Sequence, residues 1–253
     1  WIPYQFWATT LRVAGFRVIM VDLRGHGRST GTQITYGAVE ARDLVQVLDE
    51  LERQKLIIGN VGVLGGSYGA ACAICWAGID PRVKAVVALE PFDSLRHAAH
   101  DTAPTLLGKY RKLFSAKDIQ DAVSEASKFA GFDTDRASPY VAIAHMKTPV
   151  LLIHGKNDTF LTPANSERMH AVARDHSKLI VVDNATHIDL WHKAYPLIYR
   201  ESDAWFGKYL STGARSDPPA TSPSLEQPAP RFTPIPQPTT RPSRDFRVET
   251  QAP

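Results

Sequence analysis

From Leu56 to Ile79 the chain carries no charged residue, and Gly-Gly-Ser-Tyr-Gly stands in the middle of that run. An uncharged stretch of this length satisfies a hydropathy window for a bilayer-spanning helix, yet its rhythm changes at the glycines. Val61–Leu64 is short, β-branched and apolar, the pattern of a strand buried on both faces. After Gly69 the Ala/Cys/Ile/Trp segment mixes small and long side chains as a packed helix does. The glycines therefore mark a sharp turn from a buried strand into a helix.

The same alternation runs to about residue 210. Further strands are predicted at Arg17–Val21, Val83–Leu89, Val150–Ile153 and Leu179–Val182, and helices at Ala38–Leu51, Ala164–Arg174 and Leu190–Leu210. Strand and helix in turn imply βαβ units, hence an α/β fold with a mostly parallel sheet flanked by helices. The interval Asp93–Lys147 breaks this rhythm, with helical patterns and no convincing strand. A connection so long is expected to be functional, here a helical lid over the strand ends. Ten of the 18 prolines fall between Pro218 and Pro253 among Thr, Ser, Gln, Ala and Arg, a composition that buries no core. The expected organisation is a domain over residues 1–211, with the lid at 93–147, and a disordered proline-rich tail over 212–253. No two prolines of the tail are spaced i, i+3, so the PxxP pattern is absent.

Composition narrows the function classes. At 43% hydrophobic content the 253 residues can build a sizeable core, and the formal net charge is only +3. No Lys/Arg cluster stands out along the chain, so neither nucleic-acid nor anionic-membrane binding is indicated. The two cysteines, Cys72 and Cys75, lie on the predicted helix without a second ligand pair and read as buried small hydrophobes. The chain begins with Trp1 and its front lacks a signal-peptide pattern. An incomplete front end is expected, in a soluble protein for which the cytoplasm is the favoured compartment.

Gly65-Gly66-Ser67-Tyr68-Gly69 is G-x-S-x-G between a strand and a helix, the context of a nucleophile elbow. A serine at such a tip sits in strained backbone, and flanking glycines remove Cβ atoms that would collide with strand and helix. Its hydroxyl projects toward the positive end of the following helix. A hydroxyl alone is a poor nucleophile, so a base and an orienting acid are required. TPVLLIHGKNDTFLTP offers Asp158 in the loop leaving one strand, and LIVVDNATHIDLW offers His187 in the loop leaving the next. All three stand at the carboxyl ends of strands, where open α/β sheets place their sites.

With these residues in view, the chain resembles the α/β-hydrolase superfamily over about Trp1–Leu210. Val18–Gly31 (VIMVDLRGHGRSTG) looks like the family's D-x-R-G-x-G-x-S loop, and SPYVAIAHMKTPVLLIHGKNDTFLTP looks like its lead-in to the acid strand. The resemblance implies Ser67 as nucleophile, His187 as general base and then acid, Asp158 as the orienter of His187, and the Tyr68 backbone N–H as an oxyanion donor. Asp93 or Glu90 would be the fallback acid. It implies no cofactor and no metal. In the family a further strand and an H-G loop supplying a second oxyanion donor precede the first helix of this chain. Their absence predicts a gap between the Arg17–Val21 and Val61–Leu64 strands or a repacking of those two into direct contact, with low stability and weak or absent activity.

The expected function is hydrolysis of carboxylic esters of small or medium acyl groups through an acyl-enzyme, with a small acyl compound as substrate. Leu106, Leu107, Tyr110, Phe114, Phe129 and Phe132 are expected to line an acyl pocket. The alternative is a serine exopeptidase of prolyl-oligopeptidase or aminopeptidase type, whose substrate amine would be held by lid carboxylates: Glu125, Asp93, Asp101, Asp118, Asp121, Asp133 or Asp135. A third reading is a non-catalytic binding protein on a hydrolase scaffold.

Overall fold

A computed structural model describes residues 2–134 and 138–211, all within one compact unit, Trp1–Ser216. The expected tail lies outside the described residues. Four parallel strands, β1 (Val61–Gly66), β2 (Val83–Leu89), β3 (Val150–Gly155) and β4 (Ser177–Val182), form a sheet in the order β1-β2-β3-β4. Around them run α1 (Ile2–Val13), α2 (Glu40–Arg53), α3 (Tyr68–Ile79), α4 (Leu95–Leu107), α5 (Ala116–Ala130), α6 (Pro139–His145), α7 (Ala164–Val172), α8 (Leu190–Lys193) and α9 (Tyr195–Leu210). A 3₁₀ segment, Gly108–Leu113, joins α4 to α5.

Side-chain alternation along the central strands feeds two cores. Val83, Val86 and Ala88 of β2 with Val150 and Leu152 of β3 meet α2, α3, α6 and α7 on one face. Ala85, Val87, Leu89, Leu151 and Ile153 meet α1, α8 and α9 on the other. Burial on both faces is why these strands are apolar throughout. Every residue of α3 from Ala70 to Ala77 is buried, as expected of a helix apolar all round. The uncharged run is thus β1, a turn and a 12-residue helix, and among the described residues no helix is long and apolar enough to cross a membrane.

Three expectations need correction. Arg17–Val21 is not a strand: the segment faces β1 across a cavity of about 1070 Å³ lined by Arg17–Leu23 on one side and Val61–Gly66 on the other. A strand exists by its ladder, and across that distance neither segment can offer the other a hydrogen-bond partner. The two segments do not repack into direct contact. The cavity follows the whole edge of β1 and reaches Ser67, Tyr68 and His26 at its carboxyl end. Second, Leu190–Leu210 is two helices with Ala194 between them. Pro196 lacks an N–H and its ring crowds the carbonyl four residues back, so it opens α9 instead of continuing α8. Third, α6 lies within 93–147 but buries Ile143 completely against the sheet-side core. The portion standing apart from that core is α4 to α5.

Candidate active site

Successive strand ends are stitched together at the carboxyl edge of the sheet. Ser67 N–H donates to Leu89 C=O at 2.8 Å, Glu90 N–H to Ile153 C=O at 2.8 Å, and Lys156 N–H to Val182 C=O at 2.9 Å. Asn157 N–H reaches Ala185 C=O at 2.8 Å and ties the loop of Asp158 to the loop of His187. A Cβ on Gly155 would lie 2.6 Å from that Ala185 oxygen, so glycine permits the close approach.

Ser67 occupies the tip of the turn with φ 52° and ψ −120°, a conformation that L-residues rarely adopt. Two glycines make room for it. A Cβ on Gly65 would run into the Gly69 backbone, and one on Gly66 into the Trp191 ring. Gly69 differs from expectation, because a Cβ there would meet nothing within 4 Å. As the first residue of α3, Tyr68 has an N–H that no carbonyl of its own helix can accept.

The three sequence-predicted side chains come together. His187 Nε2 lies 3.0 Å from Ser67 Oγ, and His187 Nδ1 lies 2.7 Å from Asp158 Oδ2. The acceptor-only carboxylate assigns the proton to Nδ1, which leaves Nε2 free to accept from the serine hydroxyl. Asp158 is nearly fully buried. Its Oδ1 accepts from the N–H groups of Phe160 and Leu161, both at 2.8 Å. Burial alone would push this carboxyl up, but His154, His187 and the Leu161 N–H overcome it and hold Asp158 well below the usual carboxylate range. The Phe160 ring packs on the His187 ring with centroids 5.1 Å apart.

Two neighbours complete the surroundings. His154 is fully buried on β3, with Nε2 2.8 Å from Leu161 C=O and 3.3 Å from Asp158 Oδ2, and Nδ1 2.8 Å from Ser166 Oγ. A ring nitrogen facing a carbonyl must carry the proton, so His154 donates toward Asp158 and supports its charge. Sequence reasoning passed over it; its only signal is a polar residue closing the otherwise apolar VLLI strand. Glu90 is fully buried with φ 51°, and its Oε2 lies 3.7 Å from His187 Nδ1. Neither of its carboxyl oxygens has a hydrogen-bond partner among the described residues. Burial, with Asp158 and Asp189 adding to it, pushes the Glu90 carboxyl up to about 9, so near neutral pH it is an uncharged acid beside the Asp158–His187 pair.

Among the described residues, Glu90, Asp158 and His187 also form the one cluster with metal-ligand spacing. The donor set fits a metal poorly, since Nδ1 of His187 is already spent on Asp158. Cys72 and Cys75 are buried and form no disulfide, and burial pushes Cys75 up to about 12, which leaves them without thiolate character.

Asp93, the other fallback acid, is directed elsewhere: it binds Arg168 Nε at 2.5 Å and His97 Nδ1 at 2.8 Å. Asp101 on α4 accepts from Thr162 N–H, Thr162 Oγ1 and Asn165 Nδ2 at 3.1, 2.8 and 2.8 Å. This seats α4 against the loop that carries Asp158. The expected acyl-pocket lining is not found. Leu106, Tyr110, Phe114 and Phe129 are exposed, and Leu107 and Phe132 are half-buried. The D-x-R-G-x-G-x-S loop is braced internally. Asp22 accepts from the Arg28 N–H at 3.0 Å, Arg24 makes a bidentate pair with Asp43 at 2.6 and 2.8 Å, and His26 stacks on Tyr68 at 5.4 Å.

Comparison with known proteins follows the same outline. The family model described as "Alpha/beta hydrolase family" matches residues 1–201. The uncharacterized protein YqkD of Bacillus subtilis is 30% identical over 175 residues, 68% of this chain and 56% of that protein. The chain spans little more than half the length of the first curated relatives it matches. Among solved structures, the Pyrococcus furiosus esterase Pf2001 superposes with TM-score 0.64 at 20% identity, covering 83% of this chain and 75% of that one. Pyrococcus horikoshii acylaminoacyl peptidase gives TM-score 0.52 at 14% identity over 70% of this chain and 29% of that one. At such identities these two likenesses bear on the fold alone. A parallel sheet covered on both faces, a serine turn at its carboxyl edge and a family model reaching from residue 1 to residue 201 lead to one assignment: the chain belongs to the alpha/beta hydrolase family.

Proposed function

We propose that this chain is a serine hydrolase that cleaves carboxylic esters of small or medium acyl groups. The observation that carries the reading is the unbroken relay from Ser67 Oγ through His187 to Asp158, at 3.0 and 2.7 Å. In the proposed cycle His187 Nε2 takes the Ser67 proton as Oγ attacks the acyl carbonyl. The Tyr68 N–H stabilises the developing oxyanion at the positive end of α3. His187 then gives its proton to the departing alkoxide, leaving an acyl-Ser67 ester. Water, deprotonated by His187, attacks that ester, and the carboxylic acid departs as Ser67 regains its proton. Asp158 stays ionised throughout and stabilises the imidazolium. The helices from α4 to α5 are proposed as a lid, hinged on the Asp101–Thr162 contact.

The exopeptidase alternative shares its fold with a solved peptidase, a likeness that does not reach the activity. Five of the six carboxylates named for it among the described residues are engaged by this chain's own groups, which speaks against it. Asp93 and Asp101 are engaged as described, Asp118 closes the capping box of α5 with Ser115, Asp121 pairs with Lys117, and Glu125 pairs with Lys128. Asp135 lies outside the described residues. The non-catalytic reading is disfavoured by the assembled relay. Hydrolysis of p-nitrophenyl butyrate and of aminoacyl anilides, with Ser67→Ala as control, separates the three. Serine-dependent ester cleavage exceeding anilide cleavage is expected; faster anilide cleavage would transfer the chain to the peptidases.

A further inference from the structure

The segment from Leu106 to Lys117 carries Lys109, Arg111, Lys112 and Lys117, and no Asp or Glu lies between Asp101 and Asp118. Its apolar residues face outward, with Leu106 71%, Tyr110 55% and Leu113 74% exposed and Phe114 also exposed. In a 3₁₀ helix residues three apart eclipse one another. Tyr110 and Leu113 therefore lie in one row along Gly108–Leu113, and Lys109 and Lys112 form the row beside it. Lys117 is paired with Asp121. Lys109, Arg111 and Lys112 make no ion pair among the described residues: Lys109 lies over the Tyr110 ring at 5.1 Å, and Arg111 donates to Phe114 C=O at 2.7 Å. A small net charge of +3 concealed this patch, because the balancing acids sit elsewhere on the chain.

We propose that the Leu106–Phe114 segment is a docking surface for an anionic lipid bilayer. An exposed aliphatic and aromatic row bordered by unpaired cations is the pattern of an interfacial contact: the apolar side chains enter the headgroup boundary and the cations meet lipid phosphates. Charge complementarity decides among occupants. A second copy of this segment would bring like charges face to face, and a neutral apolar protein face would leave three cations unpaired. The location matters too. Asp101 holds α4 against the loop of Asp158, and at about 1.5 Å per residue Gly108 begins about 10 Å further along that helix. Resting on the serine-hydrolase reading, this makes the substrate class acyl esters presented at a lipid surface.

The test is co-sedimentation of the full chain with vesicles of phosphatidylcholine alone or of equimolar phosphatidylcholine and phosphatidylglycerol. Three surface cations predict a partition coefficient about a hundredfold higher on the anionic vesicles, falling as salt is raised. The combined Lys109→Glu, Arg111→Glu and Lys112→Glu variant should lose that preference. Leu113→Ser with Tyr110→Ser should weaken binding and leave its salt dependence. All five positions are exposed or on the rim, so the fold does not depend on them, and thermal melts check this. Equal binding to both vesicles, no binding, or self-association in place of vesicle binding would overturn the proposal. Fluorophosphonate labelling of Ser67 on the same samples reads the chemistry separately, so loss of docking and loss of the hydrolase reading are distinguishable.

Discussion

On the side of β1 that faces β2 the sheet is continuous. Gly62–Gly66 pair with Ala85–Leu89, β2 with β3, and β3 with β4, and both central strands are buried almost throughout. On the other side β1 meets a cavity of about 1070 Å³, and Ile19, Met20 and Val21 opposite it are substantially exposed. Ser67 stands on the boundary. Its turn is anchored to Leu89 of β2, and the His187 it meets and the Asp158 behind it belong to the closed side. The geometry of the relay is therefore set by the well-packed half, and disturbing the open half should alter stability before it alters the alignment of Ser67 with His187.

The largest effect on the closed side is expected at the relay itself. Asp158→Asn should lower ester turnover by about 10⁴-fold through the wrong imidazole tautomer, with the secondary structure unchanged by circular dichroism. A loss under tenfold would mean that Asp158 does not orient His187. Next, Leu152→Ala in the fully buried β3 should cost about 3 kcal/mol in urea unfolding, whereas Val63→Ala, half-buried on β1, should cost about 1 kcal/mol. Equal costs would erase the contrast between the two sides.

What was legible beforehand follows the same division. Val83–Leu89 and Val150–Ile153 could be read because strands buried on two faces are apolar over their length, Leu179–Val182 because that part of β4 is apolar and mostly β-branched, and the serine turn because its glycines answer a local steric need. Arg17–Val21 has the same composition, but being a strand depends on a neighbour, which composition does not supply. His154 was invisible as a support of Asp158, and Glu90 was named only as a fallback acid, because their surroundings arise from contacts between different strand ends. The apolar residues between Leu106 and Phe132 misled for a related reason: a helical pattern marks which residues are apolar, not whether they turn toward the site or toward solvent.

Glu90 gives a pH-dependent test of the closed side. Its native pKa of about 9 lies above its ordinary value of 4.5. The stability owed to its protonated form is complete below the ordinary value and is lost as pH rises toward 9, because the unfolded chain ionises first. Glu90→Gln removes that penalty, so its stability relative to the natural chain should grow between pH 5 and pH 8, by at most about 1.4 kcal/mol per pH unit. Parallel stability curves would place Glu90 in contact with water. The smallest effect is expected on the open side. Arg24→Gln breaks a half-exposed pair with Asp43 and should cost under about 1 kcal/mol; a cost of several would show that the D-x-R-G-x-G-x-S loop is held far more firmly than its exposure implies.

The central claim is that Ser67 is an activated nucleophile. The most direct measurement is labelling of the intact chain with a fluorophosphonate, with the adduct located by peptide mass spectrometry in the natural chain, Ser67→Ala and His187→Ala. Modification confined to Ser67 and lost in both variants is the predicted result. A folded chain that stays unlabelled, or labelling that persists without His187, would contradict it.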